Sequence, residues 1–277
     1  MLCFKEVSFS YPGASRPALR KVSLALTPGE FVVVMGPNGS GKSTLTRLGN
    51  GLLQPSEGEV VVDGLNTRDP LGLPRVRQKV GLVFQDPDNQ MVAGTVEEDI
   101  AFGPENLGLP PDEIKQRVEE ALATLGITAL RKRPPHRLSG GQKQKVALAG
   151  ILAMKPQYIL LDEATAMLDP RSREEVLGLL NFLCRQQKIG ILLVTHLPEE
   201  ALMADRLVIL YEGTIWKEGA PEEVFSRPEE LLRRGLEAPQ TVLLAQRLAR
   251  RGLNLPHRAL RPEELAQALW ALARSGP

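Results

Sequence analysis

The sequence predicts an α/β fold, and three observations carry that expectation. The apolar run Phe31-Val32-Val33-Val34-Met35 leads directly into the glycine-rich Gly36-Pro37-Asn38-Gly39-Ser40-Gly41-Lys42-Ser43-Thr44 and then into the helix-compatible Leu45-Thr46-Arg47-Leu48. Other apolar strand-like runs recur at 80–84, 158–161 and 189–195, with helical patterns between them. From 86 to about 156 the strand-like runs give way to helical signals, so a helical subdomain is inserted into the core. The expected organisation is a main α/β domain over 1–225 and a helical extension over 226–277.

The opening reads as a small sheet: a strand over 2–9, a turn at Pro12-Gly13, an alternating run over 22–26 and a closing Pro28-Gly29. Tyr11 stands just past the first strand, where its ring could stack on a purine or cover a sheet edge. The next stretch fits the pattern of Gly, four residues, then Gly-Lys-Ser, with a strand before it and a helix after. Binding a triphosphate requires backbone N–H groups turned inward around negative oxygens, and glycines at 36, 39 and 41 permit that path. A helix starting near Lys42 adds unpaired N–H groups and its positive dipole end. Lys42 would place a cation on the outer phosphates, and the Ser43 hydroxyl is a magnesium ligand in waiting.

After a turn at Pro55-Ser56-Glu57-Gly58 comes a strand over 59–62, then the short basic stretch 75–79 and a strand over 80–84 that ends in Gln85. In the helical insertion, Thr95 with Glu98 forms a capping-box pattern. Pro111-Asp112-Glu113 opens a longer helix, whose stripe of Ile114, Val118, Ala121, Leu122 and Leu125 reads as core. Leu138-Ser139-Gly140-Gly141-Gln142 precedes a helical run over 146–154, and Ser-Gly-Gly there is either an anion contact or a plain helix cap. Tyr158-Ile159-Leu160-Leu161 ends in Asp162-Glu163, at the carboxyl end of a strand, where open α/β sheets place ligands. Asp162 could hold magnesium through water and Glu163 could deprotonate an attacking water. Leu168-Asp169-Pro170 leads into a helix, and the strand over 189–195 ends in His196. The runs over 207–211 and 213–219 read as a hairpin, followed by short helices over 222–225, 229–236, 239–251 and 262–274.

The net charge of +1 offers no general attraction to nucleic acid or acidic lipid. Two distant cysteines, Cys3 and Cys184, support neither a disulfide framework nor a zinc site and fit a reducing compartment. The start has no signal-peptide pattern and no run reaches the roughly 18 apolar residues of a spanning helix, so membrane work would be done through other subunits.

In order along the chain, Tyr11, the phosphate loop, Gln85, Leu138-Ser139-Gly140-Gly141-Gln142, Asp162-Glu163 and His196 resemble the ATPase subunits of ATP-binding-cassette transporters, over about 2–225. The resemblance implies a P-loop NTPase fold of RecA-like type, with an antiparallel β subdomain, an inserted helical subdomain and ATP with Mg²⁺ as ligands. It further implies that Tyr11 stacks on adenine and that Gln85 serves magnesium and coupling. His196 would act as a switch beside the γ-phosphate, and Ser139, Gly140, Gly141, Gln142 and Asp169 would complete the nucleotide site of a second, head-to-tail subunit.

A narrower likeness lies in Phe84-Gln85-Asp86-Pro87-Asp88-Asn89-Gln90, in the stretch from Gly94 to Gly103, and in Glu163-Ala164-Thr165-Ala166-Met167-Leu168-Asp169-Pro170. These are similar to the ATPases of energy-coupling-factor importers of vitamins or transition-metal ions. That subgroup implies a peripheral protein on the cytoplasmic face of the membrane, paired with an identical or a similar ATPase. It also implies integral transmembrane and substrate-binding components, and leans toward the first ATPase of two-ATPase systems. The C-terminal helices would then hold two ATPases together or pack on their own core. The other readings are an ATPase of a different transporter class and a soluble cassette acting on nucleic acid or ribosomes. The second is disfavoured because 45–137 is too short for a coiled-coil arm and the charge gives no nucleic-acid footprint.

Overall fold

The computed structural model describes residues 1–253 and 261–274. Two sheets organise it. In the first, β1 (Leu2–Phe9) pairs antiparallel with β2 (Leu19–Leu26) on one side and with β4 (Glu57–Val62) on the other, and β4 is followed by the two-residue β5 (Leu65–Asn66). The second sheet builds on β3 (Phe31–Met35). Its other members are β6 (Val80–Val83), β7 (Tyr158–Asp162), β8 (Gly190–Thr195), β9 (Arg206–Tyr211) and β10 (Thr214–Gly219), in the order β10-β9-β3-β8-β7-β6. All neighbours in it are parallel except the β9–β10 hairpin.

The strands of the large sheet read as continuous apolar runs because both of its faces are covered. Phe31, Val33 and Met35 face one core, together with Ile159, Leu161, Ile191 and Leu193. Val32 and Val34 face the other, with Leu160, Leu192 and Val194, against β1, β2, β4 and the helix α1 (Lys42–Gly49). The period-two alternation of side chains therefore splits each strand between two cores.

The helical insertion holds α3 (Val96–Asn106), α4 (Pro111–Thr124) and α5 (Gly140–Ala153); α2 (Leu73–Lys79) precedes β6. Thr95 caps α3 through a complete capping box with Glu98. Val118, Ala121, Leu122 and Leu125 are buried, and Ile114 is half-buried against them. The stretch after Gln85 has clear structural tasks. Asp86 caps a 3-10 turn over Pro87–Asn89, and Asp88 pairs with Lys143 Nζ of α5 at 2.6 Å. Gln90 accepts from Phe84 N at 2.9 Å and donates to Leu82 O at 3.0 Å, so its amide caps the free edge of β6 in place of another strand.

The long helix α6 (Pro170–Gln187) follows β7. α7 (Pro221–Val224) closes the domain, and the extension comprises α8 (Pro228–Leu232), α9 (Gln240–Ala249) and α10 (Pro262–Arg274). The helix expected over 229–236 spans only Pro228–Leu232, since Gly235 takes a φ of 72° that ends it. Leu231, Leu236 and Ala238 are buried in the main core, and the Arg234 guanidinium lies 3.8 Å over the Trp216 ring. The first part of the extension is thus packed on its own core. α9 and α10 meet around Leu265 and leave Leu244 and Trp270 exposed.

Candidate active site

Four neighbouring parallel strands deliver the site. The phosphate loop follows β3, Gln85 follows β6, Asp162 ends β7 with Glu163 next, and His196 follows β8. Their carboxyl ends converge because the strands are parallel and adjacent in the sheet.

The glycines of the loop have specific causes. A Cβ on Gly36 would stand 2.3 Å from Leu210 O and 2.4 Å from Ser40 Oγ. At Gly41 the φ of 103° and the contacts to Ala18 O at 2.4 Å and Leu19 Cδ2 at 2.6 Å exclude any side chain. Lys42, 4% exposed, donates from Nζ to Gly36 O at 2.8 Å and Pro37 O at 3.1 Å, and lies 3.6 Å from Glu163 Oε1. Burial pushes its ammonium below the ordinary lysine range, with Glu163 and Asp162 pulling it back up. Ser43 Oγ donates to Asp162 Oδ1 at 2.7 Å. Burial also pushes the Asp162 carboxyl up, opposed by the Ser43 hydroxyl and the Arg47 charge.

Glu163 sits at the centre. Its φ of 50° is uncommon for a residue with a side chain, and its N–H donates to Val194 O at 3.0 Å. Gln85 Nε2 donates to its Oε2 at 3.3 Å, and His196 Nδ1 lies 3.5 Å from the same oxygen. One carboxylate therefore meets Lys42, Gln85 and His196.

A cleft of about 610 Å³ opens beside these groups, lined among others by Tyr11, Asn38, Gly39, Lys42, Thr44 and Glu163. Tyr11 packs edge-on against Phe9 with ring centres 4.9 Å apart, and its hydroxyl is 3.2 Å from Thr44 Oγ1. Ser40 Oγ is buried inside the loop without a hydrogen-bond partner. A second cleft of about 480 Å³ is lined by Pro37, Gln85, Glu163 and His196 and, from the chain's C-terminal part, by Gly235, Leu236 and Glu237.

The remaining expected residues lie elsewhere. Ser139 caps α5 in a complete capping box with Gln142; the expected run over 146–154 thus begins earlier, at Gly140. Asp169 caps α6 through Ser172 N at 3.1 Å. Gly141 is pressed against α6, where a Cβ would meet Ser172 Oγ at 2.6 Å. Ser139, Gly140 and Asp169 are exposed, and none of these residues lines either cleft.

The family described as ABC transporter matches residues 19–166. A similar relative, the energy-coupling factor transporter ATP-binding protein EcfA1 of Clostridium novyi, is 48% identical over 98% of both chains. That of Symbiobacterium thermophilum is 50% identical over 93% of this chain and 90% of its own. The chain belongs to the ABC transporter family, among its energy-coupling factor ATP-binding proteins.

Solved ABC ATPases share the fold. cbiO1 from Clostridium perfringens, part of the ABC transporter complex cbiONQ, superposes with a TM-score of 0.76 at 37% identity, over 91% of this chain and 96% of its own. The ATP-binding cassette MJ0796, in a dimer bound to ADP and Pi, gives 0.72 at 33% identity over 80% of this ABC ATPase and 99% of its own chain. Sequence reasoning missed Arg16, Pro17 and Ala18, which line the larger cleft. A basic residue beside Pro in the loop between two antiparallel strands was the available signal. The 235–237 segment, which lines the second cleft, carried none.

Proposed function

We propose that this ATPase drives an energy-coupling-factor importer of a vitamin or a transition-metal ion from the cytoplasmic face of a membrane. It works in a head-to-tail pair with a second cassette and moves integral transmembrane and substrate-binding components. The names of the relatives and the cbiONQ membership of a solved neighbour support the importer part of this reading. Within the described residues no helix is long and apolar enough to cross a membrane.

The observation that carries the catalytic part is the meeting of Lys42, Gln85 and His196 on the single Glu163 carboxylate. The loop fits a triphosphate: its backbone leaves no room for Cβ atoms at Gly36 or Gly41, as a cradle of N–H groups requires, and the Ser40 hydroxyl inside it lacks a partner. Pro37, Asn38, Gly39 and Thr44 complete the cradle around the phosphates. Ser43 Oγ and Asp162 Oδ1, 2.7 Å apart, supply the hard oxygen donors that magnesium prefers, with Gln85 completing the set. The ion, when bound, neutralises charge building on the outer phosphates.

Lys42 binds the outer phosphate oxygens, and its buried ammonium acts where water screens it least. Glu163 orients the attacking water and takes its proton, while His196 and Gln85 hold the carboxylate in place. Tyr11 stacks on the adenine ring. Ser139, Gly140, Gly141, Gln142 and Asp169 act on the nucleotide held by the partner cassette, consistent with none of them lining either cleft of their own chain.

Glu163→Gln is expected to keep MgATP affinity and lower phosphate release by about 10²–10⁴-fold. Substantial turnover in that variant overturns the assignment of the base. Capture of the chain from solubilised membranes is expected to bring down small integral membrane proteins. Failure both to pair with a cassette under ATP and to release phosphate overturns the whole reading.

A further inference from the structure

Behind His196 lies a buried carboxylate that the mechanism above does not use. Glu200, on the 3-10 turn Pro198–Met203 that follows the switch histidine, is 2% exposed. Neither of its carboxylate oxygens closes a hydrogen bond. Its neighbours are Thr195 at the end of β8, Thr165, and Arg173 of α6, whose Nε stands 3.7 Å from Oε1; the His196 imidazole adds its field. The Thr165 hydroxyl is likewise buried without a partner. Removing a carboxylate from water with so little compensation is costly, and such a group in a folded protein calls for a reason.

The reason lies in what Arg173 does. Its guanidinium donates to Thr165 O at 3.3 Å and to Leu168 O at 3.1 Å. Those two carbonyls belong to the loop that begins with Glu163 and ends with the helix cap Asp169. On the other side, Thr195 immediately precedes His196 and fixes the turn after it, its Oγ1 accepting from Leu197 N at 3.0 Å. Glu200 therefore stands between the backbone carrying the base and the backbone carrying the switch histidine. Burial pushes its carboxyl up, with Thr195, Thr165 and Arg173 opposing that rise.

We propose that Glu200 is a positioning residue for ATP hydrolysis: from the turn that follows His196 it engages Arg173 and so ties the Glu163–Asp169 loop to the His196 loop. The proposal rests on the roles given above to Glu163 and His196. A carboxylate 3.5 Å from its switch histidine has little tolerance, because a displacement of about 1 Å can cost on the order of 10² in rate.

The test uses the full-length chain, MgATP, steady-state phosphate release and the affinity of a fluorescent ATP analogue. Glu200→Gln preserves volume and removes the buried charge, so it folds; Glu200→Ala removes the clamp entirely. Both are expected to lower kcat about tenfold or more while leaving KM and nucleotide affinity within about threefold. Glu200→Gln combined with Arg173→Gln is expected to lose less than the product of the single losses, since the two act as a unit. Unchanged kcat per folded molecule with only thermal stability altered, a loss residing in KM, or fully multiplicative losses would each overturn the proposal. If Glu163→Gln is inactive while the Glu200 variants turn over normally, the clamp alone fails. If Glu163→Gln itself turns over, the reading beneath it fails.

Discussion

The two halves of the candidate site are built in opposite ways. At the carboxyl ends of β3, β6, β7 and β8, polar side chains turn toward one another: Lys42 meets Glu163, Ser43 meets Asp162, and Gln85 and His196 share Glu163. At the start of α5 and α6 they turn back onto their own backbone. Ser139 and Gln142 cap α5, and Asp169 caps α6. The first half carries buried charges whose desolvation is offset by mutual contact. The second holds exposed groups that cost little to leave facing water. A chain with one inward-facing and one outward-facing half can be completed by another such chain.

The largest effect expected from this contrast comes from Lys42→Ala. Removing the ammonium that lies against Glu163 should weaken MgATP binding to the isolated chain by about 10²-fold, the scale of lost charge-assisted hydrogen bonds. Substitutions at Ser139 or Asp169 should leave that affinity within about twofold. Calorimetric titration of both kinds of variant decides it. Equal affinities for Lys42→Ala and wild type would erase the distinction between the halves.

Gly141→Ala sharpens the contrast from the other side. The added Cβ meets Ser172 Oγ at 2.6 Å and Ser172 Cβ at 2.7 Å, so α5 and α6 must separate, at a cost of about 1–3 kcal/mol. Turnover should fall severalfold while MgATP affinity of the single chain stays unchanged, because no cleft residue moves. Adding Ser172→Gly removes both clashing atoms and should return most of the stability in a thermal melt. Should the double variant remain as unstable as the single one, the helix contact is not the cause.

What the sequence made legible follows the same division. Requirements local to the backbone were readable: the phosphate loop needs its glycines, Thr95 with Glu98 announces the start of α3, and the apolar strands run unbroken because both sheet faces are buried. The start of α5 was readable in principle, since Ser139 and Gln142 stand at capping-box spacing, but two glycines between them masked the helix. Placements set by distant segments were not readable. Near Arg16 the only signal was a basic residue beside Pro in a loop, and nothing near Glu237 says that tertiary packing brings it to the second cleft. Tyr11 shows the limit well: its ring both packs on Phe9 and lines the cleft, so neither of the two sequence readings excluded the other. The exposed or buried fate of the C-terminal helices was likewise undecidable, because Leu231 and Leu244 look alike in sequence while only the first enters the core.

The smallest expected effect concerns the cap of α6, where stability and pairing can be separated by pH. Hydrogen bonds from the Ser172 side chain and backbone hold the Asp169 carboxyl below the usual aspartate range. A carboxyl with a depressed folded pKa binds fewer protons in the native state than in the unfolded one, so its contribution is present above the unfolded pKa, about 3.9, and is lost as pH falls through the folded value. Asp169→Ala should therefore lower the thermal midpoint by about 2–4 °C at pH 7, with the gap to wild type closing progressively below about pH 4. ATP-dependent pairing should weaken at pH 7 as well if, as proposed, the same carboxylate acts on the partner's nucleotide. A gap that persists undiminished in acid would mean that the charge of Asp169 does not hold the helix start. If pairing stayed intact while the melt shifted, the outward half would be only a cap, and the partner cassette would have to be recognised by other groups.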